Sequence, residues 1–258
     1  MTVSLTPQFS SASTASPPKN CSECRLRKTD AFIAIKPKEL ALINTFRRDT
    51  LAIPANGTVI YEKSNAGKLY TVYSGWAFRY KTLSDGRRQI LNFVLPGDFI
   101  GLQQEFADNA NHGIEAITQT QLCVFPRNGL WEFFKEDPSL GYDVTWLAAR
   151  EEGMIDDNLV TTGRRNAAER IAVLLMQLYR RMERIGLVEN NSIVFPLNQQ
   201  HIADALGLSL VHTNKTLRRL EKLGMHTLEN GRLTLCNTSA LERIADYYDR
   251  PPKKVPLL

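Results

Sequence analysis

The side chains best suited to nucleic-acid recognition stand close together near the C-terminal end of the chain. His212, Asn214 and Lys215 carry imidazole, amide and ammonium groups, which can donate hydrogen bonds to base edges in the DNA major groove. Val211 can meet a thymine methyl group, and Arg218 is suited to a phosphate. This arrangement points to sequence-specific binding of double-stranded DNA.

Cysteines form a second group of chemically active residues. Cys21 and Cys24 stand in a Cys-x-x-Cys pattern, and Cys123 lies in an alternating apolar run. Such thiols can bind an iron–sulfur cluster or another metal, or support redox chemistry. A buried core thiol explains Cys123 equally well, and Cys236 is expected to be structural. Four cysteines in 258 residues do not make a disulfide scaffold, which favours a reducing, cytoplasmic compartment.

Two short helices must position the DNA-recognition residues. Asn198 is predicted to cap the first helix, Gly207 supplies a left-handed turn, and Ser209 caps the second. Asn198 and Gln199 at the first helix start are further candidates for DNA contacts. Glu229–Leu235 reads as a β-hairpin. The pattern is that of a helix-turn-helix with a wing, and the apolar stripe of its second helix contains Thr213, Leu217 and Leu220.

Charge is distributed unevenly along the chain, whose formal net charge is +5. Residues 164–258 contain 15 Lys and Arg against 9 Asp and Glu, whereas residues 1–163 contain 17 against 18. A basic region joined to a neutral one is a footprint of nucleic-acid binding. No window approaches ~18 consecutive apolar residues, which excludes a transmembrane helix. A secretory signal is not expected either.

The first half of the chain has the pattern of an all-β sandwich or jelly roll. Short β-branched or aromatic runs alternate with turn signals such as Asp85-Gly86 and Pro96-Gly97-Asp98. A short helical pattern over residues 32–46 precedes them. The predicted strands are 59–61, 69–73, 76–82, 88–94, 113–117 and 121–125.

A long helix is predicted after the strands, beginning at Asp137-Pro138. Its spacing of four and three residues is coiled-coil-like, which favours dimerisation, although packing on the β domain is the alternative. Thr162-Gly163 reads as a hinge, and an arginine-rich helix follows over residues 166–183. The predicted seam contains Leu140, Val144, Leu147, Glu151, Met154 and Asn158.

The two ends of the chain predict little order. Residues 1–19 are mostly Ser, Thr and Pro, a composition that predicts a disordered arm. Residues 249–258 contain prolines that block helix continuation, and we expect a loose tail.

From Cys21 to about Tyr248 the chain resembles the Crp/Fnr family of bacterial transcription regulators. The resemblance rests on Pro96-Gly97-Asp98, on Arg165-Asn-Ala-Ala-Glu-Arg-Ile-Ala172 and on the winged helix-turn-helix. It implies an α+β fold and a homodimer that binds a pseudo-palindromic operator, with RNA polymerase as a partner and activation as the outcome. The implied parts are a cyclic-nucleotide-binding-type β roll over 20–137, a dimerisation helix over 138–163 and a winged helix-turn-helix over 164–248.

The resemblance also assigns base-reading positions within the second helix. Crp and Fnr carry Glu at the position of Val211 and Arg at that of Lys215, so we expect a different operator here. The positions that it assigns are Leu210, Val211, His212, Asn214 and Lys215.

Two kinds of signal are implied by the family. An oxygen- or redox-sensing [4Fe-4S] cluster would use Cys21, Cys24 and Cys123, with Asp30 at the remaining ligand position. The alternative is an activator without a cluster, whose activity is set by its expression level, by protein contacts or by an unidentified ligand. Cyclic AMP is not expected, because no Arg or Lys lies between Arg88 and Arg127 to meet its phosphate.

An enzymatic function finds little support. Glu151, Glu152, Asp156 and Asp157 read as a solvated helix face, and the four histidines lack metal-binding spacing. We therefore expect no catalytic site.

Overall fold

A computed structural model describes residues 16–65, 67–105, 109–247 and 253–258 of the chain. Its N-terminal part is a β roll, as the α+β fold class predicted. The strands are β1 (Asp49–Ile53), β2 (Thr58–Ile60), β3 (Lys68–Ser74), β4 (Ala77–Thr82), β5 (Arg88–Val94), β6 (Phe99–Ile100), β7 (Gly113–Ala116) and β8 (Thr120–Pro126).

These strands form two antiparallel sheets, ordered β1-β8-β3-β6 and β2-β7-β4-β5. Strands distant in sequence are therefore neighbours, which is the arrangement of a jelly roll. The β4–β5 hairpin turns at Asp85-Gly86, where Gly86 has a φ of 84°. β1 and β6 were not predicted: β6 has two residues, and β1 acquires its partner only through the long-range pairing with β8.

The helices follow mostly in the second half of the chain. They are α1 (Pro37–Phe46), α2 (Leu130–Glu136), α3 (Pro138–Arg164), α4 (Ala167–Arg184), α5 (Gln199–Leu206), α6 (Leu210–Lys222) and α7 (Thr238–Ala245). A three-stranded sheet, ordered β10-β11-β9, consists of β9 (Ser192–Val194), β10 (His226–Glu229) and β11 (Arg232–Leu235). Within the described ranges, no helix is long and apolar enough to cross a membrane.

The predicted seam of α3 is wrong in its register. Leu140, Val144 and Leu147 are at most 5% exposed and belong to the core of their own chain. Met154 is half-buried and lines a cavity against β5 and α4. The predicted apolar spacing is present, but these side chains pack against their own chain rather than against a second copy. The outward face of α3 is shifted by two residues and contains Tyr142, Ala149, Gly153, Asp156 and Val160.

The end of α3 also differs from the prediction. The helix continues through Thr162 and Gly163 to Arg164, and the chain turns at Arg165, two residues after the predicted hinge. Asn166 then caps α4, accepting from the backbone N–H groups of Ala168 and Glu169.

A buried charge network ties the β roll to both of these helices. Asp98, in the turn after β5, accepts a hydrogen bond from Leu95 N at 2.7 Å and pairs with Arg150 of α3 at 3.3 Å. It also pairs with Arg181 of α4, whose guanidinium donates to the Phe93 carbonyl oxygen at 2.9 Å. One carboxylate thus joins three elements.

Both terminal predictions need correction where the structure describes these residues. Residues 1–15 and 248–252 lie outside the described ranges. Residues 16–19 are not a free arm, because Pro17 is buried and Arg47 donates to the carbonyl oxygen of Lys19. The tail is not loose over 253–258: Val255 forms a parallel bridge with Phe32, and Leu257 and Leu258 are each 5% exposed. Proline prevents a helix but permits an extended, paired segment.

Candidate nucleic-acid interface

The helix-turn-helix is built from local hydrogen bonds that the sequence encodes. Asn198 Oδ1 accepts from His201 N at 2.8 Å, and His201 Nδ1 accepts from Asn198 N at 3.2 Å, which forms a reciprocal capping box. α5 ends at Gly207, whose φ of 62° places it in the left-handed region. Ser209 Oγ then accepts from His212 N at 3.2 Å and starts α6. Asn198 therefore has a structural role as a cap.

One face of α6 packs into the domain and thereby orients the other face. Thr213, Leu217 and Leu220 are buried as predicted. Ala203 of α5, 2% exposed, is small enough to let the two helices approach closely. Because side chains at spacings of three and four share a helix face, burying this stripe turns the intervening residues outward.

The outward face carries most of the predicted recognition residues. Val211 is 80% exposed, and His212, Lys215 and Arg218 are exposed beside it. Leu210 is 46% exposed at the start of the helix. Further exposed positions are Gln199 at the start of α5 and Arg219 on α6.

Asn214 is placed less favourably than the sequence predicted. It is half-buried, and its Oδ1 is buried without a hydrogen-bond partner among the described residues. A buried amide oxygen without a partner costs free energy. Asn214 therefore differs from its exposed neighbours, and only part of its amide is available to a base edge.

Sequence reasoning missed the residue that braces the turn. Arg170 of α4 donates from Nη1 to the Leu206 carbonyl oxygen at 2.8 Å, and from Nε to the Arg165 carbonyl oxygen at 2.8 Å. It connects the end of α5 to the chain entering α4. The one sequence indication was its place in the Asn166–Ala172 motif, where an arginine follows the capping glutamate directly.

The wing has the predicted hairpin. β10 and β11 are joined at Asn230 and Gly231, whose φ values of 52° and 71° are those of a type I′ turn. β11 also pairs with β9, so the wing is fixed to the chain entering α5. The wing hairpin is therefore part of a three-stranded sheet.

Three of the four predicted cluster ligands lie together, but the fourth, Asp30, does not join them. Cys21, Cys24 and Cys123 line one pocket of about 20 Å³, room for about one water molecule. Asp30 lies on the exposed surface, where it pairs with Lys254 at 3.6 Å. Within the described ranges, no three or more His, Cys, Asp and Glu side chains have the geometry to hold a metal ion.

The lining of this pocket also disfavours a cluster. Arg47 Nη1 lies 3.8 Å from Cys123 Sγ, and Arg27, Leu257 and Leu258 are among the other residues of the wall. Burial raises the pKa of Cys123 to about 11 despite Arg47, and burial also raises that of Cys21. The remaining volume of about 20 Å³ is too small for an iron–sulfur cluster, so these residues do not fit the group.

The charges inside the β roll are already matched to one another. Arg79 of β4 is 2% exposed, and it donates to Glu151 of α3 and, at 3.3 Å, to Asn92. Glu151 is therefore not on a solvated face as predicted. Because side chains alternate between the two faces of a strand, Arg79 points into the β roll. A buried arginine is normally paired, so its position indicates a buried acidic partner. His112 lies near Arg79 and is uncharged, so neither side chain offers a free positive charge to a cyclic phosphate.

Comparisons with known proteins agree with this architecture. Residues 50–137 match the cyclic nucleotide-binding domain profile, and residues 169–244 match the Crp-like helix-turn-helix domain profile. The nitrogen fixation regulation protein FixK of Bradyrhizobium diazoefficiens is 30% identical over 87% of this chain and 93% of its own length. The transcriptional activator protein FnrL of Cereibacter sphaeroides is 27% identical over 89% and 93%.

A solved structure extends the agreement to three dimensions. FixK2 from Bradyrhizobium japonicum superposes with a TM-score of 0.71 at 28% identity, covering 78% of this chain and 98% of that one. The sequence matches, the order of the two domains and the fold therefore all indicate the same family. The chain belongs to the Crp/Fnr family of DNA-binding transcription regulators.

Proposed function

We propose that this chain is a transcription activator that binds a pseudo-palindromic operator as a homodimer and contacts RNA polymerase. The observation that carries the proposal is the outward face of α6, where apolar, imidazole and ammonium groups stand exposed opposite a fully packed face. The names of FixK and FnrL support the regulatory role and, for FnrL, its activating direction.

The exposed residues of α5 and α6 divide into two roles by their chemistry. His212 and Lys215 donate to guanine or adenine edges, and Val211 contacts a thymine methyl group, which together read sequence. Arg218 and Gln199 bind phosphate oxygens, which gives affinity and register without sequence information. Gln199 also lies at a helix N-terminus, where backbone N–H groups favour an anion.

The outward face of α3 supports dimerisation. Its exposed residues recur every seven positions in two series, one with Tyr142, Ala149, Asp156 and Gly163 and the other with Gly153 and Val160. Small residues let two helices approach closely, and Leu159 and Val160 are exposed apolar groups, 69% and 53%, that a second copy would bury. Two copies of α6 then face successive half-sites on one side of the DNA.

The test begins with selection of binding sequences from a random duplex pool at about 150 mM salt. His212→Ala combined with Lys215→Ala should weaken binding to each half-site of the selected duplex by at least about 30-fold and relax sequence preference, since each of the two base contacts contributes about 1–3 kcal/mol. Arg218→Ala should weaken all duplexes alike and lower the salt slope by about one per subunit.

Lys38→Ala is the matched control, because Lys38 is an exposed lysine of α1 in the other domain. It should bind the selected duplex like the parent chain. Absence of any preferred sequence from the selection, or equal affinity of the double variant and the Lys38→Ala control, would contradict the proposal.

A further inference from the structure

The segment 253–258, here called the tail segment, is attached to the β roll by backbone hydrogen bonds. Val255 N donates to the Ala31 carbonyl oxygen at 2.9 Å, and Ile33 N donates to the Val255 carbonyl oxygen at 2.9 Å. The result is a parallel bridge between Phe32 and Val255. The bridge lies outside the strands and joins the tail segment to residues 31–33, which precede α1. Main-chain pairing of an extended peptide is a common mode of recognition, in which main-chain bonds give affinity and side-chain pockets give specificity.

The side chains of the tail segment fill such pockets. Val255, Leu257 and Leu258 are 9%, 5% and 5% exposed and belong to the core that contains Phe32. The Leu258 carbonyl oxygen accepts from Thr71 Oγ1 of β3 at 2.8 Å, in a buried hydrogen bond. By contrast, Lys253 and Lys254 are exposed. The tail segment therefore resembles a bound peptide, because its aliphatic side chains are buried and its lysines are exposed to solvent.

Leu257 and Leu258 close the pocket of the three cysteines. They share its wall with Cys21, Cys24 and Cys123, and the remaining volume is about 20 Å³. Cys21 and Cys123 are 6% and 8% exposed with the segment in place. Removing two leucines from this wall would open both thiols to solution.

We propose that the β roll contains a peptide-binding groove, that the tail segment is its resident ligand, and that release of this segment exposes Cys21 and Cys123. The groove takes an extended apolar peptide that contains two consecutive large aliphatic residues, and such a peptide supplied separately can occupy it. The proposal is independent of which operator the chain binds.

The test measures thiol accessibility in the full-length chain. Iodoacetamide alkylates each thiolate with loss of iodide, and peptide mass spectrometry gives a rate for every cysteine. In Leu257→Asp combined with Leu258→Asp, the rate at Cys123 should rise at least tenfold. Lys253→Asp, a change at an exposed position of the same segment, should leave it within twofold of the parent. The exposed Cys236 is the internal reference and should not change.

A peptide added in trans distinguishes release of the tail segment from general destabilisation of the fold. Millimolar Lys-Lys-Val-Pro-Leu-Leu should restore slow labelling of Cys123 in the double variant, whereas Lys-Lys-Val-Pro-Asp-Asp should not. Unchanged labelling in the double variant, or fast labelling that the leucine peptide fails to slow, would overturn the proposal. If the double variant does not fold, Leu258→Ala takes its place, with a smaller rise in rate that the same peptide reverses.

Discussion

His112 is a titratable side chain held neutral inside the β roll. It is 3% exposed, and burial, followed by the positive charges of Arg79 and Lys81, lowers its pKa from 6.5 to about 3. Protonation would place a third positive charge in a site where Arg79 already has its acid partner, Glu151. The imidazole therefore behaves as a polar core group rather than as a charged one.

We predict that His112 makes the fold sensitive to mild acid. Between pH 6.5 and 3 the unfolded chain binds a proton at this residue and the folded chain does not, so stability falls as pH falls through that window. The loss is about 1.4 kcal/mol per pH unit, or about 2 kcal/mol at pH 5. Urea unfolding at pH 7.5 and pH 5 should show His112→Gln losing less stability than the parent by that amount. Equal losses in both proteins would contradict the assignment.

The turn between α5 and α6 depends on one left-handed residue, Gly207. A Cβ atom there would meet only Arg170 Nη1, at 3.8 Å, so space is not limiting. Its φ of 62° is the constraint. Gly207→Ala should lower the free energy of unfolding by about 1 kcal/mol through backbone strain alone.

Gly67→Ala is the control for that measurement. Gly67 has open space around it and no left-handed backbone, so its replacement should be neutral or slightly stabilising. Chemical unfolding of both variants gives the comparison. A Gly207→Ala variant as stable as Gly67→Ala would show that the turn tolerates a side chain.

Local patterns predicted the elements whose sequence carries its own boundary signals. β5 has its predicted bounds, and the helix-turn-helix has the predicted caps at Asn198 and Ser209, because side-chain caps and left-handed glycines act within a few residues. The register of α3 could not be predicted in the same way. Its apolar spacing fits either the β roll or a second copy, and only tertiary packing of Leu140, Val144 and Leu147 decides between them.

The same limit applies to the candidate sites. Exposure of Val211, His212 and Lys215 followed from the stripe opposite them, which is a property of one helix. The separation of Asp30 from the cysteines is a property of the tertiary structure, in which Asp30 is exposed and lies 3.6 Å from Lys254 of the tail segment. Contacts between positions more than two hundred residues apart leave no local trace in the sequence.

Asp98 connects the β roll to α3 and α4, and hence the two domains to each other. Burial opposes its ionisation, but Arg181, Arg150 and the Leu95 amide outweigh burial and lower its pKa. Asp98→Asn leaves Arg150 and Arg181 without their anion and should cost about 3–5 kcal/mol at pH 7. Because the pKa of Asp98 is lowered by folding, this contribution is fully present above the unfolded value of about 3.9 and is lost as pH falls from there through the lower pKa of the folded state.

Urea unfolding at pH 7 and pH 3.5 tests both parts of this prediction. Asp85→Asn is the control, because Asp85 makes a comparable bond to Arg87 at 2.8 Å on the exposed surface. Its unfolding midpoint should match that of the parent, since exposed pairs contribute little. A stability deficit of Asp98→Asn that persists undiminished at pH 3.5 would contradict the charge-based account.

We predict that assembly depends on the outward face of α3. Val160→Asp places a carboxylate within the proposed dimer contact and should convert the dimer to monomer in sedimentation velocity at micromolar concentration. Leu83→Asp is the matched control: Leu83 is 52% exposed and Val160 53%, but Leu83 lies in the β4–β5 loop. Both variants sedimenting as dimers would exclude this face as the interface.

The tail segment also has a consequence for competition within the molecule. Residues 248–252 connect it to the end of the DNA-binding domain at Tyr247, and six extended steps span at most about 22 Å. A ligand on so short a tether has an effective concentration in the millimolar range. A free peptide of equal intrinsic affinity must reach that concentration to displace it. At micromolar concentration, only a ligand that binds the groove far more tightly than the chain's own leucines can enter it.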